Sequence, residues 1–217
     1  MAIPEGKAGA KTVQERVSEF GGVVGGRLEP KFRAAGVGYP PRHVTLLGFK
    51  RERRLELYAS DANRTPRFIH AYPVLAASGA PGPKLREGDR QVPEGIYHVR
   101  ELNPNSRFHL SLWLDYPNAF DRARAAADGR TNLGGAIMLH GGAASKGCFA
   151  LGDPAVEDLF VLAALAGLAH IAVILSPVDF RQHSLADTLP TEPAWTRDLY
   201  AEIKQQLARF PCSGANG

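Results

Sequence analysis

The chain has 217 residues, of which 44% are hydrophobic and 22% are charged, and its formal net charge is +4. This length suits one globular domain with a sizeable core, and no charge block or long linker divides it. Aromatic residues make up 8% of the sequence and lie mostly inside apolar runs, which argues against a nucleic-acid partner. No run approaches the roughly 20 apolar residues that span a bilayer, so we expect no membrane span, and we find no signal peptide pattern.

The N-terminal residues 1–42 are predicted to form an extension that contains one short helix. Val13, Val17 and Phe20 recur at helical spacing, which indicates an amphipathic helix over residues 11–20. We expect this helix to pack on the domain rather than to bind a membrane.

Strands dominate the next hundred residues, where short apolar or alternating runs are bounded by turn residues. The predicted strands cover residues 43–49, 54–58, 68–75, 97–102, 109–114 and 136–140. The first two are expected to form a hairpin. The segment 78–95 is rich in Gly and Pro and is predicted to be a long connection.

The last third of the chain mixes helices with one strand. A helix over 154–167, a buried strand over 170–175 and a closing helix over 195–209 are predicted. The whole pattern predicts a mainly β fold of the α+β class, with a sandwich or barrel-like core and peripheral helices. Its core domain is expected to span residues 43–182, and residues 183–217 are expected to pack on it as a helix and tail.

The segment 137–153 combines a base, a glycine-rich turn and a thiol. His140 and Cys148 lie where an apolar strand gives way to a helix. The glycines between them let the backbone fold back, with amide N–H groups directed at a bound carbonyl oxygen. We expect His140 and the positive end of the helix to lower the pKa of the Cys148 thiol, with Lys146 as a further contributor. This arrangement is typical of a cysteine nucleophile.

Other interpretations of the same segment are less well supported. Ala143 stands two residues before Ser145, which excludes a Gly-x-Ser-x-Gly elbow, and Ser-Lys-Gly is not the Gly-Lys-Ser/Thr of a phosphate loop. The remaining histidines lack metal-ligand spacing, so no metal is expected. A buried structural cysteine is the alternative for Cys148, and Asp153 is better explained as a helix N-cap than as a catalytic group. Pairing with Cys212 would silence the nucleophile, so both thiols are expected to be free.

The run His140-Gly-Gly-Ala-Ala-Ser-Lys-Gly-Cys-Phe-Ala-Leu-Gly-Asp153 resembles the signature of the L,D-transpeptidase catalytic (YkuD-like) family, and in particular its YafK-like murein branch. Segments 78–97 and 115–121 also resemble that branch, so the likeness covers roughly residues 43–182. This identifies residues 43–182 as an L,D-transpeptidase-like catalytic domain.

The resemblance implies roles for four residues. His140 matches the general base and Cys148 the nucleophile, while Ser145 matches a supporting residue and Gly147 an oxyanion-turn residue. Better-known members of the family have other residues at and around position 146, so substrate contacts in that loop are not carried over.

The resemblance also implies cysteine-dependent acyl transfer on peptidoglycan stem peptides, through a thioester and without a cofactor. An amine acceptor would make the enzyme a transpeptidase. Water would make it an amidase or L,D-carboxypeptidase, which could also release murein-bound lipoprotein. Only eight positions separate His140 from Cys148, so the loop between them is short. A short loop predicts a cleft open to water, which favours hydrolysis. An inert wall-binding module and a secreted antibacterial effector remain alternatives, and the expected location is periplasmic or secreted.

Three further residues are candidates for substrate binding. Lys84 and Arg86 lie in the long connection and could meet the carboxylates of a stem peptide, although solvation of a surface would explain them equally well. His109 alternates with apolar neighbours and could line the floor of the cleft, although a half-buried structural histidine would fit the same pattern.

Overall fold

The fold is seen in a computed structural model that describes residues 9–62, 65–186 and 193–212. Within these residues there are four α-helices and nine strands. The helices are α1 (Val13–Ala34), α2 (Ala119–Ala127), α3 (Asp153–Ala166) and α4 (Thr196–Leu207). The strands are β1 (His43–Phe49), β2 (Arg54–Ser60), β3 (Arg67–Pro73), β4 (Ala76–Ala77), β5 (Gly95–Ser106), β6 (His109–Leu114), β7 (Met138–His140), β8 (Phe149–Ala150) and β9 (Ile171–Ser176).

The strands form one mixed sheet in the order β3-β2-β1-β9-β5-β6-β7-β8-β4. The long strand β5 joins its two halves, because residues 95–98 pair with β9 and residues 99–106 pair with β6. Two neighbouring pairs, β1 with β9 and β7 with β8, are parallel, and the others are antiparallel. The predicted mainly β fold with peripheral helices is confirmed, and so is the hairpin of β1 and β2.

Helices cover both faces of the β1–β2–β9 part of the sheet. Alternate residues of a strand point to opposite faces, and in β1 the buried Leu46 packs in the cluster with α1 and α3, whereas its neighbour Leu47 packs with α4. Helix α3 carries apolar side chains on most of its surface, and eight of its fourteen residues are buried. Burial on this scale holds α3 in place by packing, so its side chains are rigid anchors for neighbouring loops.

The N-terminal helix is longer than its sequence pattern predicts. α1 runs from Val13 to Ala34, rather than over residues 11–20, and begins at a capping box formed by Thr12 and Glu15. Two Gly-Gly pairs and Pro30 disfavour helix locally. Burial of Val24, Leu28 and Phe32 in the main core outweighs those preferences.

Helix α2 has no counterpart among the elements predicted from the sequence. Asn118 and Asp121 form a second capping box, in which each side chain accepts the other residue's backbone N–H. This box was the available signal, because Asn followed three residues later by an acidic residue precedes a run rich in Ala and Arg.

Segment 78–94, which links β4 to β5, is held down by a buried group that we call the clamp: Lys50, Glu94 and Tyr200. The Lys50 ammonium lies 2.8 Å from a Glu94 carboxylate oxygen and also donates to the carbonyls of Ala80, Gly82 and Val92. Tyr200 of α4 donates to the other Glu94 oxygen at 2.6 Å. The clamp therefore fixes the long connection against the core.

Candidate active site

His140 ends β7, and Cys148 directly precedes β8, the parallel neighbour of β7 in the sheet. His140 pairs with Ala150 of β8, while Leu139 pairs with Phe149, the residue after Cys148. This register places the backbone of Cys148 beside Met138, whose backbone N–H hydrogen-bonds to the thiol. The base and the thiol predicted from the sequence are thus brought together by strand pairing, with the connection 141–147 looping between them.

The His140 ring is almost completely buried, at 1% exposure. Its Nδ1 lies 2.6 Å from the Gly141 carbonyl oxygen, and since a carbonyl can only accept, Nδ1 carries the proton. The ring then holds its lone pair on Nε2, which can take up a proton. Burial lowers the pKa of the imidazole, so the neutral form that acts as a base is favoured.

The Cys148 thiol is also buried, at 7% exposure, and lies 3.6 Å from the Ala136 carbonyl oxygen, to which it donates. Burial raises the pKa of the thiol, and the Met138 amide and the charge of Lys84 only partly offset this rise. The expectation of a lowered thiol pKa is therefore wrong, because desolvation of the thiolate dominates. Both shifts favour the uncharged forms of the two groups, the thiol and the neutral imidazole.

Two serine hydroxyls hold the backbone before the thiol. Ser145 Oγ donates to the Cys148 carbonyl at 2.6 Å and accepts the Cys148 N–H at 3.2 Å. Ser78 Oγ, from the long connection, accepts the Gly147 N–H at 2.6 Å and donates to the Arg90 carbonyl at 2.7 Å. Gly147 has φ +105°, a conformation that glycine adopts readily and other residues rarely do.

Each hydroxyl has only one hydrogen, and in both serines a carbonyl receives it. The two Oγ atoms therefore face each other at 3.3 Å as acceptors, and each accepts one amide of the turn. Ser145, for which the resemblance implies a supporting role, holds the backbone of Cys148 through its two hydrogen bonds to that residue. The Gly147 amide, proposed from the resemblance as an oxyanion donor, is already bound to Ser78.

The sequence predicted Asp153 as the N-cap of α3, and this prediction is wrong. Gly152 occupies the cap position, without a side-chain bond, and Asp153 is the first residue of the helix. Its carboxylate accepts the Gly142 N–H at 2.9 Å, which fixes the turn after His140. A Cβ at Gly141 would lie 2.5 Å from Asp153 Oδ1 and 2.6 Å from the Phe108 carbonyl oxygen, so only glycine fits there.

The three candidate substrate contacts have different environments. Lys84 is buried and its ammonium lies 2.5 Å from Asp89 Oδ1, so its charge is paired within the long connection. His109 Nε2 lies 3.0 Å from Glu157 of α3, so its ring is anchored to that helix. Arg86 is exposed and lines a cavity of about 730 Å³ together with Gln91.

Two residues beside the site, Ser78 and Phe108, are not among those predicted from the sequence. Ser78 opens a segment that resembles the family, yet nothing in its local sequence indicates contact with Gly147. Phe108 stacks on the His140 ring, with centroids 4.4 Å apart and planes inclined by 28°, while remaining 39% exposed. The available signal for Phe108 was an aromatic residue directly before the predicted strand 109–114.

No group of three or more His, Cys, Asp or Glu side chains in the described parts of the chain is placed to hold a metal ion. Both cysteines are free. Among the helices that the structure describes, none has the length and apolar character needed to cross a bilayer.

The sequence profile of the L,D-transpeptidase catalytic domain family, YkuD, matches residues 47–171, which is more than half of the chain. The protein therefore belongs to this family, and the matched span contains both His140 and Cys148. The family assignment made from the motif is confirmed.

Known proteins extend this result. The putative L,D-transpeptidase YafK of Escherichia coli strain K12 is 35% identical over 114 residues, which cover 52% of this chain and 44% of that relative. The match thus spans less than half the length of the curated relative.

Solved structures show the same fold at lower identity. The helical cell shape determining protein Pgp2 of Campylobacter jejuni matches with a TM-score of 0.51 and 22% identity, over 63% of this chain and 48% of that one. A K307A mutant of Pgp2 also gives a TM-score of 0.51, with 18% identity over 77% of this chain and 55% of that one.

Proposed function

We propose that the protein is a cysteine acyltransferase that acts on amide bonds of peptidoglycan stem peptides, through a thioester on Cys148. The observation that carries the proposal is a buried imidazole with its lone pair on Nε2 at the end of β7, and a buried thiol directly before β8, the parallel neighbour of β7. Membership of the family and the similarity to YafK support the substrate class.

In the acylation step, Nε2 of His140 takes the proton of the Cys148 thiol as the sulfur attacks the amide carbonyl carbon. The S–C bond forms, the C–N bond breaks, and the departing amine takes the proton back from His140. The Met138 N–H remains on the sulfur while the hydrogen bond to the Ala136 carbonyl is lost. Generating the thiolate only at the moment of attack suits a thiol whose pKa is raised by burial.

The tetrahedral oxygen needs a hydrogen-bond donor. The amides of Gly147 and Cys148 are bound to Ser78 and Ser145 in the free protein, so an oxyanion at either amide replaces a serine oxygen. Such an exchange keeps every buried N–H paired. Gly147 is therefore retained in the proposal as a donor that Ser78 covers until substrate binds.

Arg86 is proposed to contact a carboxylate of the stem peptide. It is exposed on a cavity whose wall includes Gln91, and the backbone of Gln91 lies against Gly147. A planar guanidinium binds carboxylates through paired hydrogen bonds, and stem peptides carry several such groups. The cavity and the turn at Gly147 thus share one wall.

Hydrolysis of the thioester is the second candidate, and the loop after His140 favours it. Its outer part consists of Ala143 and Ala144, which are small and exposed, so water can compete with an amine acceptor. Under this alternative the enzyme trims stem peptides or detaches murein-bound lipoprotein as an amidase or carboxypeptidase. Both products come from the same Cys148 thioester, in a periplasmic or secreted protein.

Mass spectrometry of purified sacculi incubated with the protein tests the proposal. New cross-links between diamino acids indicate transfer, whereas trimmed stems or released lipoprotein indicate hydrolysis. Cys148→Ala should abolish both, and Cys212→Ala is the matched control that should preserve them. Sacculi left unchanged by wild-type protein, despite retention on them, would instead support an inert wall-binding module.

A further inference from the structure

The hairpin between β5 and β6 ends in a tip that covers the base. Residues 107 and 108 connect the two strands, and Ser111 of β6 pairs with His140 of β7. The tip folds over so that Phe108 stacks on the imidazole. Its backbone is fixed too, since the Phe108 N–H donates to Ser106 Oγ at 3.1 Å.

His109, directly after Phe108, holds the tip in an unusual conformation. Its φ is +72°, a region that residues other than glycine rarely adopt and that persists only where surrounding contacts enforce it. Those contacts are visible here: His109 Nε2 lies 3.0 Å from Glu157 of α3, and Phe20 of α1 packs edge-on against its ring at 5.3 Å.

Helix α1 and the residues before it tie down the same tip. Arg27 donates to the second oxygen of Glu157 at 3.1 Å. Lys11 and Asn105 exchange two hydrogen bonds, at 2.9 and 2.7 Å, and Arg16 donates to the Pro104 carbonyl at 2.9 Å. All these α1-side residues precede residue 47, where the family match begins.

We propose that Phe108 is a positioning residue that fixes the His140 ring, and that α1 braces it through Phe20 and Arg27. This role rests on the proposed function of His140 as the base. A flat ring against the imidazole restricts its rotation, so Nε2 keeps one direction while Nδ1 keeps its bond to the Gly141 carbonyl. A segment outside the shared family region thereby sets the geometry of the base.

Variants of the tip test the first half of the proposal. Phe108→Leu keeps apolar bulk but removes the aromatic stack, and we expect kcat for sacculus processing to fall about 2-fold to 12-fold with little change in KM. Phe108→Tyr restores a flat ring and should restore kcat. Wild-type kcat in Phe108→Leu, or no rescue by Phe108→Tyr, would overturn the positioning role.

Variants of α1 test the second half without any enzymatic assay. Stacking on Phe108 displaces the NMR signal of the His140 ring proton through the ring current, so loosening the tip should shift that signal toward its position in Phe108→Leu. We expect this shift in Phe20→Ala and Arg27→Met, whereas Val23→Ala, on the exposed side of the same helix at 60% exposure, should leave the signal in place.

An unmoved His140 signal in both α1 variants would overturn the brace. This readout depends on the stack alone. A protein that proves inactive on sacculi, which would defeat the proposed function, still reports whether the tip and the helix position the ring.

Discussion

Ser78 Oγ accepts the backbone N–H of Gly147 at 2.6 Å and so joins the long connection to the turn before the thiol, across 69 positions of sequence. The same oxygen lies 3.3 Å from Ser145 Oγ. The nucleophile turn is therefore supported from both sides, by one serine of its own and by one from the segment that the clamp anchors.

Replacing Ser78 by Ala is expected to destabilise the protein. The Gly147 N–H loses its acceptor, and an unpaired buried donor costs about 1–3 kcal/mol. Thermal unfolding measures the effect, and Ser78→Thr, which keeps a hydroxyl, is the control. Equal stability of Ser78→Ala and wild type would show that the bond contributes nothing.

Gly141→Ala should unfold more readily than Gly135→Ala, although both sites lie near the thiol. A Cβ at Gly141 would meet Asp153 and the Phe108 carbonyl, whereas at Gly135 nothing lies within 4 Å. Overpacking of this kind typically costs about 1–3 kcal/mol. Urea denaturation of the two variants gives the comparison, and similar midpoints would contradict the close packing at Gly141.

The Cys148 thiol should titrate above the range of an unfolded thiol, because burial raises its pKa. Folding then favours the protonated thiol, so its contribution to stability is full below the unfolded pKa and is lost as pH rises through the folded pKa. Thiolate absorbance in a Cys212→Ser background, in native and in denatured protein, measures the shift. A native midpoint below the denatured one would restore the idea of an activated thiolate.

His140 should keep the enzyme active at mildly acidic pH. Burial lowers its pKa from 6.5, so the acid limb of kcat/KM is expected below pH 6.5. Its contribution to stability has the opposite sign to that of the thiol, being present above the unfolded pKa and lost as pH falls through the folded one. His140→Gln should reduce the rate at least ~10²-fold. An acid limb above 6.5 would point to another base.

Local patterns were sufficient for much of the sheet but not for the N-terminal helix. The predicted strand 109–114 matches β6, because alternation of apolar residues reports directly on a half-buried strand. A helix was predicted over residues 11–20, but its continuation to Ala34 was not, because the glycines and Pro30 disfavour helix. The burial of Leu28 and Phe32 that stabilises this continuation depends on the rest of the fold.

Some residues of the candidate site could also be predicted from local sequence, whereas others could not. Spacing and glycine content led to His140 and Cys148, since strand, turn and thiol are consecutive in the sequence. Ser78 lies in another segment, so its contact exists only after folding. The direction of the thiol pKa could not be inferred either, because it depends on how completely the fold removes water from the sulfur.

Tyr200 lies on α4, beyond the residues 47–171 that match the family, and its hydroxyl is still 2.6 Å from the carboxylate of Glu94. A chimera that transplants only the matched region would carry Lys50 and Glu94 into a new host with one hydrogen-bond partner missing. The portable unit for protein engineering is therefore larger than the region shared with relatives, and it includes α4.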